Sequence, residues 1–143
     1  HTDGAGAGEY RGGSGAVRVY RSMNENQTFT ASFGRNKWPV WGAAGGKDGS
    51  VNYFQFIDAD GTVSEPMGIA ARRVMNTNDV VRMVTATGGG YGNPFKRPAE
   101  KVAMDVKNEY ITVEQAKADY GVLVDPETFK VLGLTKERQK AEK

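Results

Sequence analysis

The sequence contains no cysteine and a single histidine, His1. The absence of cysteine excludes disulfides, thiolate metal sites and cysteine nucleophiles. With His1 as the one imidazole, the chain provides neither a histidine-rich metal site nor a Ser-His-Asp triad with an internal histidine. The sequence therefore predicts no metal site in this chain and assigns no catalytic residue.

Long apolar runs and a surplus of one charge are also missing. No stretch reaches the length of a membrane span or of a signal-peptide core, so we expect a cytoplasmic protein without a membrane partner. The 19 basic and 17 acidic residues leave a net charge of +2. No stripe of lysine and arginine accompanies that charge, which argues against binding of nucleic acid.

Glycine, by contrast, is abundant. The chain has 19 glycines in 143 residues and a hydrophobic fraction of 38%. This composition is typical of a loop-rich domain with a small core, or of a piece of a larger body whose remaining core lies elsewhere. Because the chain opens at His1 with a glycine run, we favour the second interpretation and expect a cleaved, truncated or separately encoded piece.

Hydrophobic periodicity predicts an α+β chain. Alternation and turn residues predict strands over residues 16–21, 27–33, 51–57, 72–75 and 80–86. We expect an antiparallel β-sheet-rich, glycine-punctuated body over residues 1–95. Residues 96–143 are expected to form a small helical C-terminal section with a short hairpin and a charged tail.

The helix signals in that C-terminal section are local and specific. Pro98 suits the first turn of one helix. Thr112 and Gln115 have the spacing of a capping box at the start of a second helix, and Gly121 supplies the left-handed position that ends it.

A phosphate-binding loop is suggested by residues 42–47, but the pattern fails. Trp41 stands where the first glycine of such a loop is required. Asp48 follows Lys47 where serine or threonine would contact the metal of a bound nucleotide. The sequence therefore argues against nucleotide binding by this loop, and we expect no cofactor bound by this chain alone.

Two segments are candidates for a binding surface. The first segment contains two cationic side chains, Arg35 and Lys37, and two indoles, Trp38 and Trp41, within seven positions. It forms either an interface or pocket, which we favour, or a loop held against its own sheet by buried tryptophan. The second segment is the cluster GGGYG at residues 88–92. Glycine loses more backbone entropy on folding than any other residue, so we expect a structural or functional reason for three consecutive glycines. The backbone of this cluster either forms an anion nest beside a substrate or permits close approach of a second chain. The candidate substrate- or interface-binding residues are Arg35, Lys37, Trp38, Trp41, Gly45, Gly46, Gly88, Gly89, Gly90, Tyr91 and Gly92.

Four motifs in this order resemble the hydantoinase B family. They are GAGAGEYRGGSG at residues 4–15, RNKWPVWGAAGG at residues 35–46, NDVVR followed by TGGGYGNP at residues 78–94, and ITVEQA with DYGV at residues 111–122. The sequence departs from the family pattern at Trp38, Val40, Ala86 and Asn93, none of which carries an obvious reactive group. The resemblance covers most of the chain and corresponds to a C-terminal portion of the family's subunit.

The resemblance implies a function shared with other chains. A hydantoinase A-type subunit would bind ATP and Mg²⁺ and phosphorylate an amide or enolate oxygen. The B-type subunit would then open the ring of a hydantoin, 5-oxoproline or lactam; alternatively it would help carboxylate a ketone such as acetone or acetophenone, or serve only in assembly. The expected partners are the remaining part of the B-type subunit, which would hold any metal, the A-type subunit, and a small cyclic amide or ketone.

Overall fold

The structure is a computed structural model that describes residues 1–2 and 4–141, and it divides into two compact units. Unit 1 comprises His1, Gly15–Pro39 and Val51–Ala86. Unit 2 comprises the described residues of Thr2–Ser14, Val40–Ser50 and Thr87–Lys143. The division at residues 95 and 96 that the sequence suggests stays a prediction.

Unit 1 consists of five strands in two antiparallel sheets. The strands are β1 (Val17–Arg21), β2 (Gln27–Ser32), β3 (Tyr53–Ile57), β4 (Ile69–Met75) and β5 (Val80–Val84). One sheet has the order β1-β5-β3, and the other pairs β2 with β4. The turn at residues 76–79 therefore connects strands of two different sheets.

The core of unit 1 is aromatic. Phe54 and Phe56 alternate with half-buried residues along β3 and are almost completely buried. The ring of Phe29 meets both of them edge to face, at centroid distances of 5.9 and 5.5 Å. Val81 on the neighbouring strand β5 is also fully buried. The alternation therefore places one face of β3 in the core, as period-2 patterning requires.

Unit 2 contains the helices. After a 3₁₀ turn at Pro94–Lys96 come α1 (Ala99–Lys107), α2 (Val113–Tyr120), the hairpin of β6 (Val122–Val124) and β7 (Val131–Leu134), and α3 (Lys136–Ala141). The first turn of α1 follows Pro98, which occupies the N-cap position. A core of small and branched side chains lies between α1, α2 and β6, and it includes Val102, Ala116 and Val122.

The predicted boundaries of α2 are confirmed in detail. The Thr112 hydroxyl accepts a hydrogen bond from Gln115 N–H, and the Gln115 side chain accepts one from Thr112 N–H. At the other end, Gly121 has a left-handed conformation with φ of 64°. These contacts satisfy backbone groups that the helix ends leave without intrahelical partners.

The α+β class is confirmed, with antiparallel sheets followed by a small helical C-terminal part. Strand β4 begins earlier than residue 72, the position predicted from the sequence. Of the charged tail at residues 136–143, the last two residues lie outside the described part. Within residues 1–2 and 4–141, no helix is long and apolar enough to cross a membrane.

Candidate functional site: a glycine-rich backbone layer

Three glycine-rich segments of unit 2 lie side by side, and we call residues 6–13, 41–49 and 87–92 together the glycine layer. Gly6 N–H donates to Gly88 O (2.9 Å), which joins the first and third segments. Lys47 joins the second segment to the other two, because its N–H donates to Ala7 O (2.7 Å) and its carbonyl accepts from Gly90 N–H (2.9 Å).

The layer depends on the absence of side chains. At nine of its glycines, an added Cβ would lie less than 3.0 Å from a backbone atom of another residue. Since Cβ atoms do not approach backbone atoms that closely, any other residue would force the segments apart. These positions are Gly6, Gly8, Gly12, Gly42, Gly46, Gly49, Gly88, Gly89 and Gly90. The close approach therefore joins segments of this same chain.

The backbone donors of residues 88–92 are largely engaged in the layer. Gly88 N–H donates to Gly13 O, and Gly92 N–H donates to Ala43 O, each at 2.9 Å. Together with the bond from Gly90 to Lys47, these contacts occupy donors that an anion nest would need. Binding of an anion by these three N–H groups would require the layer to open.

Two hydroxyl groups, the fully buried Thr87 and the half-buried Ser50, close one end of the layer. Thr87, which is fully buried, accepts from Ser50 N–H at 2.9 Å and donates to Gly4 O at 2.8 Å. In return, Ser50 Oγ accepts from Thr87 N–H at 2.9 Å. This reciprocal pairing gives both hydroxyls a structural task and fixes the strand exit that leads into Gly88.

Exposed aromatic side chains line the surface of the layer. Tyr10 and Tyr91 are direct antiparallel partners, and their ring centroids lie 6.3 Å apart. More than half of each side chain is exposed, and Trp41 from the second segment is also exposed. Tyrosine and tryptophan on a rigid backbone are the side chains that dominate protein interfaces. The layer therefore presents aromatic groups at positions that its backbone bonds fix.

A buried ion pair attaches the first segment of the layer to α1. Arg97 donates to Asp105 Oδ2 through Nε (3.0 Å) and Nη2 (2.9 Å), and its Nη1 donates to Glu9 O at 3.0 Å. Arg11 Nε lies 3.8 Å from the same Asp105 oxygen. Arg138 is buried as well and donates to Arg97 O at 2.8 Å. The Asp105 carboxylate interacts with both guanidinium groups and thereby holds the first segment of the layer against α1. A buried charge that lost its partner would be strongly unfavourable.

Tyr120 lies near this ion pair at the end of α2. Burial raises the pKa of its phenol, which the positive charge of Arg97 partly offsets. Within the described residues, the Tyr120 hydroxyl and Arg11 Nε are buried without a hydrogen-bond partner. Such groups cost free energy in proportion to their lost hydration. Tyr120 is therefore a packing residue whose hydroxyl adds little stability.

The structure assigns the predicted site residues to both units. Trp41, Gly45, Gly46 and residues 88–92 lie together in unit 2, and all but Gly45 take part in the contacts above. Gly45 has φ of 92°, the left-handed conformation that glycine favours. The other three belong to unit 1, and they are Arg35, Lys37 and Trp38. A role for any of them in substrate or partner binding stays a prediction.

Sequence reasoning missed Tyr10, Arg11, Arg97 and Asp105 as members of this site. Tyr10 and Arg11 lie inside the motif at residues 4–15, so a signal was present in the aromatic and basic residues between its glycines. Asp105 and Arg97 carried no such signal, because a carboxylate on an amphipathic helix usually faces solvent. Among the described residues, no group of three or more histidine, aspartate or glutamate side chains could hold a metal ion.

The family model for hydantoinase B/oxoprolinase matches residues 1–94 of the chain. The chain belongs to this family. All three segments of the glycine layer fall inside the matched range. The layer is therefore formed entirely by sequence that the family model describes.

Two curated relatives of this hydantoinase B family member come from Pseudomonas. A candidate B-type subunit of a D-/L-hydantoinase from Pseudomonas sp. (strain NS671) is 32% identical over 119 residues, which are 82% of this chain and 20% of the relative. The beta subunit of the caprolactamase from Pseudomonas jessenii is 31% identical over 140 residues, which are 87% of this chain and 22% of the relative. The chain thus spans about a fifth of the length of the curated relatives it matches.

A solved structure shares the fold. The nucleotide-free structure of an acetone carboxylase that performs ATP-dependent acetone carboxylation matches 96% of this chain and 22% of its own chain, with a TM-score of 0.70 and 18% identity. At that identity the likeness establishes the fold alone.

Proposed function

We propose that this chain acts as part of the B-type component of a multi-subunit ATP-dependent amidohydrolase. The component would open the ring of a hydantoin, 5-oxoproline or lactam. The observation that carries the proposal is the family match over residues 1–94, together with 31–32% identity to subunits of a candidate hydantoinase and of a caprolactamase. Both relatives are named as subunits, which supports a shared rather than a self-sufficient activity.

The proposed partners are the remaining part of the B-type subunit and a hydantoinase A-type ATP-binding subunit, in the cytoplasm. ATP and Mg²⁺ would be bound by the A-type subunit. The loop at residues 42–47 supports placing the nucleotide on the A-type subunit. The N–H groups of Ala43, Gly46 and Lys47 already donate to backbone oxygens, so they are not available to bind phosphate. Any metal used by the B-type subunit would lie in its remaining part.

The chemistry of ring opening explains why ATP is required. Transfer of the γ-phosphoryl group to the amide oxygen would release ADP and turn a poor leaving oxygen into a good one. Water would then add to the activated carbon, and the C–N bond would break as the ring nitrogen takes up a proton, which leaves an acyl phosphate. A second water would hydrolyse that acyl phosphate to the carboxylic acid and inorganic phosphate. None of these steps requires cysteine or histidine from this chain.

The contribution of this chain would be a rigid scaffold and an interface. The glycine layer fixes three chain segments without side chains between them, and it carries Tyr10 and Tyr91 on its surface. Preorganised backbone of this kind positions groups that belong to neighbouring chains. We therefore propose that the chain is inactive alone and that the complete component is active.

The test is ATP-dependent turnover of 5-oxoproline, hydantoin, caprolactam and acetone by the assembled component, with and without this chain. We expect ring opening of a cyclic amide, coupled to ADP release, only when the chain is present. Bicarbonate-dependent consumption of acetone in place of ring opening would establish the carboxylase alternative. Unchanged turnover without the chain would contradict a catalytic contribution.

A variant distinguishes a catalytic from an assembly role. Replacement of all three glycines at 88–90 by alanine disrupts the layer, whereas Gly13→Ala introduces a Cβ with no atom within 4 Å and serves as the control. Loss of activity in a component that still assembles would support the catalytic contribution. Loss of assembly at unchanged specific activity of the remaining complex would support the assembly-only alternative.

A further inference from the structure

Strand β1 forms an open edge of the sheet in unit 1. It pairs with β5 on one side, and within residues 1–2 and 4–141 no strand or bridge pairs with its other side. All five of its residues are exposed, including Val17, Val19 and Tyr20. An exposed edge strand of β-branched and aromatic residues is a template for another strand, and proteins normally cover or charge it.

The register shows which backbone groups are directed outward. Thr85 N–H donates to Ala16 O at 2.9 Å, and Ser22 N–H donates to Asp79 O at 2.8 Å. In an antiparallel ladder the backbone groups of successive residues point to alternate sides. Residues 16, 18, 20 and 22 therefore bond toward β5, while the N–H and C=O groups of residues 17, 19 and 21 are directed away from it.

The side chains at these outward positions are compatible with an added strand. Val17 and Val19 lie on the same face of the sheet, and 60% of Val19 is exposed. β-Branched residues pack well against a cross-strand neighbour. No proline interrupts the strand, and its two charged residues are the exposed Arg18 and Arg21.

We propose that the outer edge of β1 is completed by a strand from the remaining part of the B-type polypeptide, through β-augmentation. The inference rests on the proposed function, which supplies this partner. The chain spans only about a fifth of its curated relatives, so about four fifths of a B-type polypeptide is available to provide the strand. Main-chain hydrogen bonds would supply the attachment, and Val17 and Val19 would pack against the side chains of the incoming strand.

Amide hydrogen exchange at single-residue resolution tests the proposal. It compares this chain alone with the assembled B-type component, whether or not the chain is covalently continuous with the remainder. The amides of Val19 and Arg21 should exchange at least about tenfold more slowly in the component, because their N–H groups would donate hydrogen bonds to the added strand. The amides of Arg18 and Tyr20 bond toward β5 in both states and serve as the internal control.

Each outcome decides a different question. Equal exchange of Val19 and Arg21 in both states, within an active component, would overturn this inference and leave the proposed function standing. Protection of these amides in the isolated chain, accompanied by a dimer mass, would assign the edge to a second copy and also overturn it. Absence of any B-type remainder from the purified assembly would overturn the proposed function itself.

A pair of substitutions provides a second readout. Val19→Pro removes an outward donor, a change that edge strands tolerate on the solvent side, whereas Val19→Thr keeps the donor and the branched shape. We expect Val19→Pro to remove most of the slowing of Arg21 amide exchange in the component, and Val19→Thr to keep it. The Arg18 and Tyr20 amides show that the variant still folds; equal slowing at Arg21 in folded Val19→Pro would contradict the inference.

Discussion

At the scale of single residues, the segments of the glycine layer can pack closely because their glycines carry no side chains. Gly90 is a representative position, because an added Cβ would meet the carbonyl groups of Gly6 and Ala7 at less than 3.0 Å. Gly90 does not need a left-handed conformation, so its requirement is steric. The same segment donates Gly90 N–H to Lys47 O, and a shift of the backbone would lengthen that bond as well.

We predict that Gly90→Ala lowers the free energy of unfolding by about 1–3 kcal/mol, the usual cost of overpacking a dense site. Gly13→Ala is the matched control, since nothing lies within 4 Å of its added Cβ. That variant should change stability by less than about 1 kcal/mol, and in the stabilising direction through the unfolded chain. Denaturant unfolding of both variants measures the difference, and equal stabilities would contradict the layer's steric basis.

The Tyr120 hydroxyl gives a second prediction at this scale. Burial raises its pKa above the ordinary 10.0. Because the unfolded chain releases the phenolic proton at a lower pH than the folded chain, the native free energy of unfolding is fully present below pH 10. It falls as the pH rises from there through the folded-state pKa of Tyr120. Tyr120→Phe should therefore leave stability at pH 7 unchanged or slightly raised, and should retain more of it than the native chain above pH 10. Thermal unfolding across this pH range checks both points, and a clear loss at pH 7 would show that the hydroxyl has a partner.

The glycines show how far residue-level prediction extends. The sequence indicates that the GGGYG cluster needs an explanation, and it offers close backbone approach as one of two. It does not indicate that Gly88 meets Gly12 and Gly13, because that contact joins positions about 75 residues apart and leaves no periodic pattern. Hydrophobic periodicity indicates which side chains are buried, and glycine has no side chain from which burial could be predicted.

At the scale of secondary-structure elements, local chemistry determines what sequence can predict. Helix α2 is predictable at both ends, because the Thr112–Gln115 capping box and the left-handed Gly121 act within one turn of the helix. Sheet pairing is less predictable. The chain turns at residues 76–79 from β4 to β5, yet β4 pairs with β2, and β5 pairs with β1 and β3. Phe54 on β3 and Val81 on β5 are buried in the core that these strands share, and the local turn does not encode that burial.

Capping of α2 yields a prediction at the element scale. Thr112→Ala removes the side-chain acceptor for Gln115 N–H and should lower the free energy of unfolding by about 1 kcal/mol. Thr112→Ser keeps the hydroxyl and should retain most of that stability. Helix content and unfolding midpoints of the two variants provide the measurement; a Thr112→Ala variant as stable as Thr112→Ser would mean that the cap contributes nothing.

At the scale of the whole molecule, the chain is a family segment with two units and about a fifth of its relatives' length. Composition alone is typical either of a loop-rich domain or of a piece of a larger body, since a hydrophobic fraction of 38% with 19 glycines provides limited core. The four motifs supply the family, which the match over residues 1–94 establishes. Reaction and partners remain proposals, because the residues that would carry the chemistry are not identifiable in this chain.

The central claim is that the chain works as part of a B-type component together with an A-type ATP-binding subunit. Native mass spectrometry of the assembly purified through this chain, under conditions that keep non-covalent complexes intact, tests it most directly. The account predicts masses for the remainder of a B-type polypeptide and for an A-type subunit, with ADP or ATP associated with the latter. A stable assembly containing this chain and neither of those polypeptides would contradict it.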